Sequence, residues 1–265
     1  MGSRALAFKV IFSTLLSVFA LVFGAVPRVN AAVWNPTETW NEDFESRYAE
    51  WLTQNFDERF FLDGPWGGMK TDCADAVYGS RIIFSYLNSL PFVLSTKDTK
   101  FSHQTTAFDH ISDPHLRVRA FIDFVNDRTW TGSLSRHTYP VALRREAIRP
   151  GVIWMKPGHV ETVIQVRATG VVDLRGSWLP GAIRKMITIT TLGHVPRSEA
   201  HGFRRWIWPQ NLGRDLKSQP GYDDAQFAGI LKTPAPKNAL DQYREIAQFE
   251  EGVRRRLAEA KAVEE

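Results

Sequence analysis

A change in hydrophobic period part-way along the chain sets what it can fold into. Trp40, Phe44, Tyr48 and Trp51 recur at the spacing of one face of an amphipathic helix. A second helical face follows Asp72 with Ala76, Val77, Ile83, Phe84 and Leu87, and Pro91 stops it just beyond Leu90. From Gly151 the pattern is one of short β-prone runs, at residues 152–156, 159–166, 171–175 and 186–192. Pro157-Gly158 and Arg167-Ala168-Thr169-Gly170 separate the first three as turns. Helices first and an antiparallel sheet afterwards predict an α+β domain.

The stretches between these elements carry weaker patterns. Residues 55–68 read as an aromatic loop ending in Gly64-Pro65-Trp66-Gly67-Gly68. Within 95–147, a short helix is expected over 115–125 and a loop or edge strand over 129–140. Past Leu231, Thr233-Pro234-Ala235-Pro236 forms a stiff linker. Leu240, Tyr243, Ile246, Phe249, Val253 and Leu257 then repeat at helical spacing, a terminal helix suited to pack on the body or on a partner protein.

Residues 1–31 have the layout of a cleavable export signal. Arg4 and Lys9 precede an apolar run over 10–24, and Pro27 precedes the small-residue pattern Val29-Asn30-Ala31. The run is shorter than the roughly 20 residues that a membrane-spanning helix needs. The expected organisation is a signal peptide over 1–31, a main domain over 32–231, and a linker with its helix over 232–265. The expected location is secreted or periplasmic, with no stable membrane span after cleavage. Without Arg4, Lys9 and Arg28, the 33 basic residues become 30 against 29 acidic ones, a net charge of +1 in place of +4. No basic run interleaved with aromatics suggests a nucleic-acid groove.

Cysteine usage narrows the chemistry. Cys73 is the single cysteine, so no intrachain disulfide framework exists, and it lies too far from the signal to be a lipidated first residue. It is a buried small residue, an intermolecular bridge or a reactive thiol. Asp72 is a good N-cap, which places Cys73 in the first turn of a helix. There the helix dipole favours the thiolate, and spare backbone N–H groups, that of Cys73 among them, face a developing oxyanion. The glycine-rich stretch before it lets a substrate come close.

A thiolate nucleophile needs a proton carrier, and His159 is the histidine best placed to be one. It opens a strand after the Pro-Gly turn and shares a face with Glu161, Val163 and Gln165. The next strand brings Asp173 back towards it, where an acid would orient the ring. A simple hairpin puts Ser177 or Trp178 opposite His159, and a slip or bulge decides whether Asp173 shares its face.

Asp72-Cys73-Ala74-Asp75 at a helix start and Pro157-Gly158-His159-Val160 opening a strand resemble the NlpC/P60 and related papain-like amidases. The resemblance covers roughly residues 65–90 and 150–178. It implies a papain-like α+β fold, with Cys73, His159 and Asp173 in the family's order of nucleophile, base and third polar residue. It also implies amide or peptide substrates, often cell-wall peptides. The chain departs from the family in having Ala74-Asp75 where Ser-Gly is common, and in a longer gap between Cys73 and His159.

Other constellations are weaker. His103, Asp109, His110 and His115 fit no metal-ligand spacing. Trp206 and Trp208 suggest a sugar-stacking platform, though aromatic residues more often fill cores. Phe203-Arg204-Arg205-Trp206 suggests contact with an anionic polymer, and Arg254-Arg255-Arg256 a solvated helix face. The expected function is an exported cysteine hydrolase that works without a cofactor through a thioester, on a peptide or peptidoglycan-like substrate. A cell-envelope binding or assembly protein on the same scaffold, and a transglutaminase-type acyl transferase, are the alternatives.

Overall fold

The computed structural model describes residues 32–95 and 100–258. The export segment expected over 1–31 lies outside the described residues. Five α-helices are found among them: α1 Glu42–Asn55, α2 Cys73–Leu87, α3 Pro114–Asn126, α4 Thr131–His137 and α5 Ala239–Leu257. Strands β1 Val93–Ser95 and β2 Lys100–Ser102 pair as a small antiparallel ribbon. The main sheet holds β3 Thr138–Pro140, β4 Ile153–Lys156, β5 His159–Val166, β6 Val172–Gly176, β7 Ile187–Ile189 and β8 Gly202–Trp206. Its order is β3-β8-β4-β5-β6-β7, antiparallel throughout. This is an α+β fold with a C-terminal helix.

Both faces of the sheet are covered, which is why residues 152–156 are almost continuously apolar. Along β4, Ile153 and Met155 join the core under α1, α2 and α3, with Leu52, Val77, Ile82 and Phe121. Val152 and Trp154 join the core on the opposite face, with Phe203, Leu174, and Val253 and Leu257 of α5. The terminal helix therefore packs on the body. Glu250 Oε1 accepts the Leu192 N–H at 2.6 Å, and a Cβ on Gly170 (φ +78) would lie 2.0 Å from the Arg254 carbonyl oxygen. Only glycine fits that turn.

Three details differ from expectation. Residues 129–140 contain helix α4 before the edge strand β3. The run at 186–192 pairs only over Ile187–Ile189. Phe203-Arg204-Arg205-Trp206, suggested above as a contact for an anionic polymer, lies in strand β8 between β3 and β4. Arg204 is buried and donates to the carbonyls of Ser135 and Thr138, while Arg205 pairs with Glu42 at 2.8 Å. Trp206 is core, and Trp208 donates its indole N–H to Glu45 at 2.7 Å, so neither tryptophan forms an open platform.

A buried ion pair ties α1 to α2. Arg81 reaches Glu45 at 2.6 and 3.2 Å and stacks 3.3 Å from the Trp40 ring centre. Burial would raise the Glu45 carboxyl, but the charge and hydrogen bonds of Arg81 hold it below its ordinary value of 4.5. A depressed carboxylate stabilises above its ordinary pKa, and that contribution is lost as the pH falls. Arg81→Met is expected to destabilise the protein by about 3–5 kcal/mol near pH 7, because it strands a buried carboxylate. Urea unfolding should show the difference shrinking below about pH 4.

Candidate active site

Local capping puts the thiol where it stands. The Asp72 side chain accepts the N–H groups of Ala74 and Asp75 at 2.9 and 3.0 Å, and Asp75 Oδ2 accepts the Asp72 N–H at 2.8 Å. This reciprocal box makes Cys73 the first residue of α2 and leaves its own N–H outside the capping bonds. Burial pushes the Asp75 carboxyl up to about 7, which limits the negative charge beside the thiol at neutral pH.

Two side chains meet Cys73. Thr131, which opens α4, brings Oγ1 to 3.5 Å from Sγ. The His159 ring, at the opening end of β5, is the other, close enough to the thiol to lower its pKa. His159 gets there through the two-residue Pro157-Gly158 turn, with Gly158 at φ +69 and Lys156 paired with His159. Its Nε2 lies 2.9 Å from Glu161 Oε1. Lys156 Nζ reaches the same Glu161 oxygen at 3.2 Å, and Glu161 is buried.

Asp173 does not take the third place, and this corrects the expectation. The β5–β6 ladder pairs Asp173 opposite Gln165, next to the turn and far along the strand from His159. There Arg167 grips it with bonds of 3.0 and 2.9 Å. Glu161 orients the histidine instead; it is two residues along the same strand and so on the same face. Trp178 stacks on the His159 ring, with centres 4.4 Å apart and planes 23° from parallel.

The electrostatics suit a nucleophile. Burial alone would raise the Cys73 thiol, but hydrogen bonds from His159 and Thr131 and the charge of His159 bring it below its ordinary value of 9.0. Burial would lower His159, yet its bonds to Cys73 and Glu161 and their charges raise it to about 9. Both shifts favour the charged forms, a thiolate beside an imidazolium. Lys156, Glu161, His159 and Cys73 then form a compact group of two positive and two negative charges. A cleft of about 430 Å³ opens on Cys73, lined by Trp130, Thr131, Met155, Lys156 and Leu179.

Thr131 and Lys156 were not singled out from the sequence, and Glu161 was noted only as sharing a face with His159. Its spacing from His159 was the available signal. Of the remaining histidines, His201 also lines this cleft, while His103 bonds the Phe92 backbone and His115 the Pro65 carbonyl. Among the described residues no cluster of three or more His, Cys, Asp or Glu is placed to share a metal ion. Among them, too, no helix is long and apolar enough to cross a membrane. Comparison with protein-family models, curated proteins and solved structures finds no match.

Proposed function

We propose that this protein is a cysteine amidase or peptidase on a papain-like scaffold, exported to act on peptide substrates such as those of the cell wall. The observation that carries this reading is the single cysteine at a capped helix start, its pKa lowered by a neighbouring histidine that a buried glutamate holds at 2.9 Å. In this mechanism the Cys73 thiolate adds to the amide carbonyl and the oxyanion is held by the Cys73 N–H at the helix start. His159 gives its proton to the leaving nitrogen as the C–N bond breaks, which yields a thioester and a free amine. His159 then takes a proton from water, which attacks the thioester and restores the thiol. Glu161 fixes the ring orientation and supports its positive charge. No cofactor enters these steps.

The test is incubation with cell-wall peptides and a general peptide library, with products read by mass spectrometry. New amine and carboxylate ends, absent with Cys73→Ala, are the expected result. Amine incorporation in place of hydrolysis identifies a transferase, and binding without turnover by the native protein identifies a recognition module.

A further inference from the structure

The walls of the cleft specify what the site accepts. Of the nine tryptophans, only Trp130 and Trp178 expose more than a third of their surface, at 57% and 43%, and both stand beside the catalytic pair. Leu179, next to Trp178, is 66% exposed and shares the cleft with Trp130, above a floor that includes the buried Met155. Large apolar groups held open to water around one cleft mark a binding surface.

Both walls are fixed in place. The Trp130 indole lies across Gly132, where a Cβ would come 2.6 Å from Nε1, and the Arg136 guanidinium sits 5.9 Å from the ring centre. The Trp130 backbone is bonded twice to the Ser133 hydroxyl, at 3.0 and 2.6 Å. Opposite, Ser177 donates to the Thr71 carbonyl at 2.9 Å, Thr71 and Ala182 form a β-bridge, and Arg184 donates to the Trp178 carbonyl. The loop bearing Leu179 is thus pinned to the residue just before Asp72-Cys73. Preorganised apolar walls lose little freedom when a ligand fills the space between them.

We propose that Trp130 and Leu179 clamp an apolar acyl group, so that the enzyme acts on amides with a bulky aliphatic or aromatic group on the acyl side of the scissile carbonyl. The proposal rests on the thiol-hydrolase reading. His159 must reach the leaving nitrogen, and Trp178 stacks on that ring, while Leu179, the next residue, lines the cleft itself. Trp130 adjoins Thr131, which touches Sγ from the other wall and borders the group that stays on sulfur. Lys156, the cation lining the cleft, is already paired with Glu161 and offers no strong site for an anionic acyl group.

Two p-nitrophenyl esters with the same leaving group, the acetate and the hexanoate, test this. With either ester the thiolate adds to the carbonyl, the C–O bond breaks, p-nitrophenolate departs with the electron pair, and water later hydrolyses the thioester. In the native protein the acylation kcat/KM for hexanoate is expected to exceed that for acetate by about tenfold or more. In Trp130→Ala and in Leu179→Ser, made separately, the ratio is expected to drop below about threefold. A native ratio near one, or a ratio that neither variant changes, overturns the clamp. An acetate burst that disappears in Cys73→Ala supports the hydrolase reading independently of the ratio. No burst from either ester overturns both.

Discussion

Replacing His159 by alanine is expected to slow alkylation of Cys73 near pH 6 by about 10- to 100-fold. In the native site burial works against the thiolate, and the hydrogen bond and charge of His159 reverse that. Without the ring, the thiol keeps its buried setting with Thr131 as its remaining polar neighbour. Its pKa should then rise to the ordinary thiol range or above. Each unit of that rise is a tenfold loss of thiolate at low pH. The greater intrinsic nucleophilicity of a more basic thiolate offsets part of the loss, which is why the estimate spans a range. Iodoacetamide kinetics from about pH 5 to 10, with labelling located at Cys73, give the comparison. Equal rates in native and variant protein at low pH would mean that His159 does not activate the thiol.

Glu161→Gln is expected to cut turnover by on the order of 100-fold, while Asp173→Asn leaves it within about twofold. Glutamine keeps the shape of the side chain but loses the charge that supports the imidazolium. The bonds and charges of Glu161 and Cys73 together raise His159 to about 9. The charged ring is lost as the pH rises through that value, so native kcat/KM should fall there, and in Glu161→Gln the fall should begin at lower pH. The thiol, less supported by its partner, should titrate higher. Asp173 spends its carboxylate on Arg167, whose side chain is half exposed, and the register puts it away from the cleft. Matching losses in the two variants would return Asp173 to the site and contradict the geometry. Steady-state kinetics across pH separate the outcomes.

What could be foreseen follows from how local each feature is. The Asp72-Cys73 helix start depends on side chains within three residues of one another, and the reciprocal bonds of Asp72 and Asp75 bear it out. His159 at the head of a hairpin was equally local, because Pro157-Gly158 marks the turn. The third residue, Glu161, was local too, two positions from His159 on the same face, but the expectation looked to the next strand. A bulge at one position of β5 decides which residue of the next strand meets the histidine, and bulges leave no pattern in a polar–apolar alternation. Trp178, one of the two residues expected opposite His159, is the one that stacks on its ring. Thr131 lies in a seven-residue helix, too short to display a period, so its approach to the thiol was illegible. Strand β8 was hidden by Arg204 and Arg205, whose charges read as surface although Arg204 bonds the Thr138 carbonyl and Arg205 pairs with Glu42. The C-terminal helix was visible from its spacing, but its docking depends on Gly170 in a distant turn.

The central claim is that Cys73 and His159 form an ion pair in the resting protein. The most direct measurement is the ultraviolet absorbance of the thiolate against pH in the native protein, taken as a difference from Cys73→Ser. The expected result is a thiolate signal already present at pH 7 and persisting well below the ordinary thiol pKa of about 8.5. A signal that emerges only at or above that value would contradict the ion pair and remove the basis for a cysteine hydrolase.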